Sequence, residues 1–333
     1  MSQTQDTAVN TLALPAVGFG TMTLGDQVDQ RGSMQLLDIA IEHGATLIDT
    51  ANSYNAGRAE EIVGRWIRSR SIRDEIVLAT KVRYRVGDDA GTEGLDPDVV
   101  LAQIDASLRR LDVDHVDVLY LHQPDDDVPL DTTWECLHRI VSAGKVRHIG
   151  LSNFAAWQIA GADHVAAHHG WPRPAVVQPV YNAIARGAAS ELWPMTREYG
   201  IATCIYNPLA GGLLTAKYAA VDSPVAGTRL ARSETYRRRY WHPRQREAAA
   251  RLADCAAQNG RSATELALRF VLDDANVDCV LLGATGFAQL RESLQIVAAP
   301  RLSAAERECC DGVWRWLQGP IPRYYRTNDQ ATA

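Results

Sequence analysis

Val116–His122 reads VDVLYLH: an apolar, β-branched run that ends on a titratable side chain. A continuous apolar run of this length suits a strand buried on both faces, as in a parallel sheet. Working outward, runs of the same kind recur on both sides. They are Val17–Thr21, Thr46–Asp49, Ile76–Lys81, His148–Asn153, Ala175–Gln178, Ile201–Asn207 and Val277–Gly283, which with the first make eight. Amphipathic segments separate them. In Ser33–His43 the residues Met34, Leu37 and Ile41 keep helical spacing and Gly44 follows as a stop. Asp96–Pro97 opens another helix as N-cap and first residue, with Leu101, Ile104, Leu108 and Leu111 on one stripe, and Asp131–Gly144 and Ala188–Gly200 repeat the pattern.

Eight strand-then-helix units predict an α/β fold, a closed (β/α)8 barrel of TIM type. The expected single domain covers 12–326, with long loops at the C-terminal rim and a C-terminal helix, and 1–11 and 327–333 are read as flexible ends. An open doubly wound sheet is the alternative, but it carries a GxGxxG fingerprint after its first strand and none stands there. The longest interruption, Ala219–Arg246, is polar and arginine-rich and reads as a long functional or mobile loop.

Composition narrows the classes. The chain has 333 residues, 46% hydrophobic, with a net charge of −6. That fits a globular protein with a sizeable core and argues against nucleic acid or an anionic membrane surface as the partner. No apolar stretch reaches the roughly 18 residues of a membrane span. The opening MSQTQDTAVN has no secretory pattern, so a cytoplasmic location is expected. The six cysteines, Cys136, Cys204, Cys255, Cys279, Cys309 and Cys310, lack paired spacing and read as reduced, buried thiols. Only Lys81, Lys145 and Lys217 are lysines among 34 basic residues, which asks of each what arginine would not do.

In a parallel barrel the chemistry gathers at the carboxyl ends of the strands. Those ends carry Asp49, with Tyr54 just beyond, then Lys81, His122, Ser152–Asn153, Gln178, Tyr206–Asn207 and Gly283. Asp, Tyr, Lys and His on one rim suit acid catalysis on a carbonyl. A tyrosine hydroxyl has a pKa near 10, too high for an efficient acid near neutrality. An ammonium beside it stabilises the phenolate, and Lys81 as a compact charge suits that place better than arginine. Asp49 would hold the lysine and His122 would donate to the developing oxyanion.

LIDTANSY (Leu47–Tyr54), ATKV (Ala79–Val82), DVLYLHQPD (Asp117–Asp125) and GKVRHIGLSNF (Gly144–Phe154) resemble the successive signatures of the aldo-keto reductase superfamily. YNAIARG (Tyr181–Gly187), YNPLAGGLLTAKY (Tyr206–Tyr218), TYRRRYW (Thr235–Trp241) and the terminal PRYYR (Pro322–Arg326) resemble its aflatoxin-aldehyde and succinic-semialdehyde reductase branch. The resemblance implies a (β/α)8 barrel that binds NADPH and reduces an aldehyde or ketone, with Tyr54 as general acid and Asp49, Lys81 and His122 beside it. It places Ser152, Asn153 and Gln178 on the nicotinamide carboxamide and Tyr206 against the ring. Around the cofactor it further implies Gly20, Thr21, Met22, Asp49, Asn207, Pro208, Leu209, Gly211, Gly212, Leu213, Lys217, Gly283, Ala284, Thr285 and Gln289. Two departures stand out. Arg291 and Ser293 occupy places where relatives contact adenine, and the 2′-phosphate arginine falls on Arg229 or Arg232, with Arg229 favoured.

Arg239 and Arg326 match arginines that relatives use to hold a substrate carboxylate, and a planar fork suits that task. Met22, Tyr54, His122, Tyr236 and Trp241 would line the rest of the substrate site. The expected substrate is therefore a carbonyl compound with an anionic group, and a homodimer is expected from the resemblance alone. No metal site is expected: His164 and His168 read as surface histidines, and Asp125–Asp127 as a solvated loop. Arg237–Arg239 beside Tyr240 and Trp241 reads as a small-anion site rather than a nucleic-acid surface. Two further functions remain open: a biosynthetic ketoreductase acting on a sugar or polyketide carbonyl, and an NADPH-binding regulatory barrel like the potassium-channel β-subunits.

Overall fold

The computed structural model describes residues 12–87, 92–218 and 221–321. The expected flexible ends and Arg326 lie outside these residues. Two compact units make up the chain, one of 12–181, 187–208 and 271–299, the other of 182–186, 209–270 and 300–321.

The first unit holds the eight-stranded parallel barrel that the apolar runs predict. Its strands are β1 (Val17–Gly20), β2 (Leu47–Asp49), β3 (Val77–Val82), β4 (Val116–Leu121), β5 (Val146–Ser152), β6 (Pro174–Gln178), β7 (Ala202–Ile205) and β8 (Cys279–Leu282). Each pairs with its sequence neighbour, and β8 closes on β1 with Val280 opposite Val17. Register sets Asp49 beside Gly20 and Ser152 beside Gln178, so the polar strand ends share one rim. Leu47, Ala79, Val118, Tyr120, Val176, Cys204, Cys279 and Leu281 form a buried cluster from six of the strands. Gly150 has no side chain because Tyr120 fills the space: a Cβ there would sit 2.4 Å from the ring.

Around the barrel run α1 (Gln30–Glu42), α2 (Arg58–Arg70), α3 (Pro97–Leu111), α4 (Leu130–Ser142), α5 (Ala156–His169) and α6 (Ala188–Tyr199), while α11 (Phe287–Ile296) follows β8. The first helix begins earlier than its apolar spacing suggests, because the Asp29 carboxylate accepts the Gly32 N–H at 2.8 Å and caps it. Asp96 caps α3 as expected, accepting from Asp98 N–H at 3.0 Å. The seventh strand stops at Ile205, short of the expected Asn207, since Asn207 turns to φ 59° and leaves the ladder.

The second unit contains a 3₁₀ segment (Ala210–Thr215), α7 (Arg229–Arg232), α8 (Glu234–Tyr240), α9 (Pro243–Gln258), most of α10 (Ala263–Leu272) and α12 (Ala304–Gln318), the expected C-terminal helix. The stretch expected to be a long loop is therefore partly helical. Its buried residues Leu230, Tyr236 and Tyr240 supply the apolar face, and the arginines between them hide it from a composition reading. A second correction concerns the cysteines. The sulfurs of Cys255 in α9 and Cys309 in α12 are paired, because the two helices pack with these Cα atoms 6.6 Å apart, a proximity that sequence spacing does not encode. Cys136, Cys204, Cys279 and Cys310 are free and buried as expected. Arg186 ties the unit together: it donates to Asp311 at 2.5 Å and to the Cys310 carbonyl at 2.7 Å, and it lies 4.2 Å from the Phe270 ring centre. Among the described residues no helix is long and apolar enough to cross a membrane.

Candidate active site

Four titratable side chains meet at the rim of the barrel unit. Lys81 lies on β3 and is buried to 1% exposure. Its Nζ donates to the Asp49 carboxylate, to the Thr50 carbonyl at 2.9 Å and to the Tyr54 hydroxyl at 3.3 Å. Burial by itself lowers a lysine's pKa, but Asp49 and the Tyr54 oxygen outweigh it and hold Lys81 above the usual value, so the ammonium stays charged. Asp49 is held in turn by Gln178, whose amide donates to its second oxygen at 2.8 Å.

Tyr54 opens a tight turn, Tyr54–Gly57, in which Asn55 and Ala56 take φ of 53° and 56°. Asparagine tolerates that conformation, and its side chain fixes the turn by donating to the Met22 and Leu24 carbonyls at 3.1 and 2.6 Å. The loops after β1 and β2 are thereby joined beneath Tyr54.

His122 follows β4, its N–H donating to the Val82 carbonyl at 2.9 Å. Its ring meets Tyr54 and Tyr84 edge-on, with centroids 5.9 and 4.9 Å away. Burial, then the charges of Lys81 and Arg83, push its pKa down to about 3, so the imidazole is neutral. Beside it Asn153, at φ 62°, donates to the His122 carbonyl at 2.9 Å and accepts from the Tyr206 hydroxyl at 2.7 Å. Ser152 donates to the Gln178 carbonyl at 2.9 Å. Ser152, Asn153, Gln178 and Tyr206 thus form one connected network with the tetrad, in which each already spends a polar group on its neighbours.

The other predicted barrel residues divide by environment. Thr21 is buried and donates its hydroxyl to the Asp49 carbonyl at 3.0 Å, while Met22 is exposed. A Cβ on Gly20 or Gly283 would meet backbone oxygens at 3.7 and 4.0 Å, ordinary contacts without a clash. Thr23 donates to the Ala284 carbonyl at 2.7 Å, and Gln289 turns back to accept the Thr285 N–H at 3.0 Å at the start of α11. Arg291 is exposed and Ser293 is buried, donating to the Gln289 carbonyl at 3.0 Å. His164 and His168 are exposed on α5.

In the second unit, Gly211 and Gly212 turn at φ of 66° and 94°, next to buried Leu213. Side chains are excluded at both: a Cβ would lie 2.8 Å from the Tyr236 ring at the first and 2.8 Å from the Lys217 Nζ at the second. Burial and the charge of Arg229 lower the Lys217 pKa, the signature of two cations brought together. Arg229 and Arg239 lie 5.1 and 6.0 Å from the centre of the Tyr236 ring. Trp241 packs against Tyr218 and Arg246.

Three residues near the tetrad escaped the sequence reading: Arg83, Tyr84 and Gln123. Tyr84 touches His122 and hydrogen-bonds Gln123 through its hydroxyl. Their signal was position alone, just past two strand ends that already carried Lys81 and His122.

The profile of the Aldo/keto reductase family matches residues 16–315. The chain is similar to the human aflatoxin B1 aldehyde reductase member 4, 34% identical with 94% of this chain and 98% of that protein covered. It is similar to the human member 2 at 35% identity, covering 92% and 89%. It is also similar to a probable voltage-gated potassium channel subunit beta of Arabidopsis thaliana, at 32% identity over 86% and 88%.

Proposed function

The chain belongs to the aldo/keto reductase family and is an oxidoreductase of carbonyl compounds that works with a nicotinamide cofactor; from that premise we propose that it uses NADPH to reduce an aldehyde or ketone, with Tyr54 as the proton donor. The observation that carries the reading is the position of the Lys81 ammonium, bonded to Asp49 on one side and 3.3 Å from the Tyr54 hydroxyl on the other.

The residues fit the cofactor. Tyr206, fixed by its bond to Asn153, offers a flat ring against which the nicotinamide would lie. In the second unit the Gly211–Gly212 turn lies against Lys217, and the neighbouring charges of Lys217 and Arg229 suit phosphate groups. When bound, the cofactor supplies a hydride to the carbonyl carbon. Tyr54 gives its proton to the carbonyl oxygen, and Lys81 stabilises the phenolate left behind. Asp49 holds Lys81 in place and Gln178 holds Asp49. Neutral His122 orients the carbonyl oxygen and donates a hydrogen bond that strengthens as negative charge develops there. Arg239 is assigned to an anionic group on the substrate.

Tyr54→Phe tests the mechanism through NADPH oxidation with a panel of aldehydes. The expected loss in kcat is about 10²- to 10⁴-fold, the usual contribution of a general acid. Retained turnover would overturn the role of Tyr54. Similarity to a channel β-subunit supports a second reading, a cofactor-binding regulatory barrel. Tight NADPH binding with no turnover on any carbonyl would favour that one.

A further inference from the structure

His122 keeps its orientation without the hydrogen bond that usually fixes an imidazole. One ring nitrogen commonly takes its direction from a partner on the other. Here Nδ1 is buried with no partner among the described residues. The ring is held by rings instead: Tyr54 and Tyr84 meet it edge-on, and Tyr84 is the nearer at 4.9 Å between centroids. Tyr54 is the proposed proton donor, so the supporting wall is Tyr84. Whatever fixes Tyr84 therefore governs where His122 points.

Tyr84 is anchored at both ends. Its hydroxyl bonds the Gln123 side chain, just past β4. Its backbone follows Arg83, which takes φ 132°, a conformation that a non-glycine residue keeps only where its surroundings hold it. Gln103, buried on α3, supplies the hold. Its Oε1 accepts the Arg83 N–H at 2.8 Å, and its Nε2 donates to the Tyr84 carbonyl at 3.4 Å and to the Thr92 carbonyl. The same Oε1 accepts from the Asn52 amide at 3.0 Å. One side-chain amide thus uses both donors and both acceptor places on this turn and its neighbour. Asn52, buried two residues before Tyr54, extends the clamp. Its side chain donates to the Tyr84 carbonyl at 2.9 Å and its N–H to the Lys81 carbonyl at 3.1 Å. Loss of Gln103 would strip the Arg83 N–H of its partner and let the turn relax.

We propose, resting on the reductase reading of this site, that Gln103 is a positioning residue for the reduction: by clamping the Arg83–Tyr84 turn it sets the Tyr84 ring, which holds the His122 imidazole at the carbonyl oxygen. Gln103 touches none of the tetrad. It acts from α3, through one backbone turn and one ring contact.

The test is steady-state NADPH oxidation with butanal in the wild type, Gln103→Leu, Gln103→Glu, Tyr84→Ala and the double variant Gln103→Leu/Tyr84→Ala, with thermal midpoints and NADPH dissociation constants beside it. Gln103→Leu is expected to lower kcat by about 10- to 100-fold, the cost of a misplaced transition-state donor. KM for butanal and the NADPH dissociation constant should stay unchanged, since the contact strengthens only as the oxyanion forms. Gln103→Glu keeps the acceptor and loses both donors, so its loss should be smaller and in the same direction. In the double variant kcat should fall no further than in the worse of the two single ones, because both changes break one chain of contacts. A lower thermal midpoint with kcat unchanged would make Gln103 purely structural and overturn the proposal. Additive losses in the double variant would overturn it too. If Gln103→Leu does not fold, the same cycle with Gln103→Glu decides by the same criteria. If the wild type reduces no carbonyl, the reductase reading falls by itself. The imidazole NMR signals of His122, assigned by their loss in His122→Asn, then decide the positioning role: displaced signals in Gln103→Leu support it and coincident ones overturn it.

Discussion

His122 shows what burial does to a single side chain. Its Nδ1 has no hydrogen-bond partner among the described residues, and its pKa is pushed down to about 3 by burial and by the charges of Lys81 and Arg83. A free histidine in the unfolded chain titrates near 6.5. Between these two values the unfolded chain binds the extra proton and the folded chain does not. Stability from His122 is therefore fully present above pH 6.5 and is lost as pH falls toward 3, by an amount on the order of 5 kcal/mol. His115 and His148, which burial also lowers, add to the same slope, so the comparison that isolates His122 is with His122→Asn. Urea denaturation at a series of pH values should show a shallower acid-side decline in that variant. Equal slopes would mean that the imidazole is charged in the folded protein. The three lysines also sort themselves at this scale. Lys81 needs a compact charge between a carboxylate and a phenol, and Lys217 folds over a glycine turn. Lys145 merely pairs with Asp105 at 2.5 Å on a half-exposed surface, as its place before the fifth strand suggested.

Elements differ in how openly the sequence announces them. All eight strands were legible, because burial on both faces forces apolar runs that little else in a chain requires. Their rim residues were legible for a related reason: an apolar strand ending on Asp49, Lys81 or His122 breaks its own pattern. α7 and α8 were not, since three consecutive arginines mask an apolar face made by only a few residues. Nor was the turn at Arg83, where a side chain from another helix supplies the restraint. Helix packing gives a sharp contrast between two glycines. A Cβ at Gly64 in α2 would lie 2.4 Å from the Leu111 carbonyl oxygen of α3, and backbone cannot move aside cheaply. At Gly161 in α5 the nearest atom is a Leu130 methyl group at 3.7 Å, an ordinary contact. Gly161→Ala should stabilise by about 0.5–1 kcal/mol through helix propensity. Gly64→Ala, despite the same propensity gain, should destabilise by about 1–3 kcal/mol through overpacking. Denaturant midpoints for the two variants check this, and the same sign for both would refute the packing argument.

Across the whole molecule a net charge of −6 conceals local concentrations of positive charge. The clearest is in the second unit, where burial and then the charge of Arg229 lower the pKa of Lys217. Two cations in mutual repulsion cost stability in the free protein, and an anion that binds between them returns it. Nothing in the net charge or in the family signatures fixed which arginine would take that place; the electrostatic effect of Arg229 on Lys217 favours it over Arg232. If the pair serves the phosphates of the cofactor, the two residues should divide the work. NADPH and NADH share a pyrophosphate and differ in the 2′-phosphate. Loss of Lys217 as Lys217→Met should weaken both cofactors together. Arg229→Gln should weaken NADPH selectively and cut the ratio of the two affinities by about 10- to 100-fold, the range for charge-assisted bonds to a phosphate. Dissociation constants from fluorescence titration with each cofactor measure this directly. Binding of NADPH should also fall as pH rises through the lowered pKa of Lys217, because the neutral amine no longer attracts phosphate. A ratio unmoved by Arg229→Gln but reduced by Arg232→Gln would transfer the 2′-phosphate to Arg232 and leave Arg229 as a partner of Tyr236 alone.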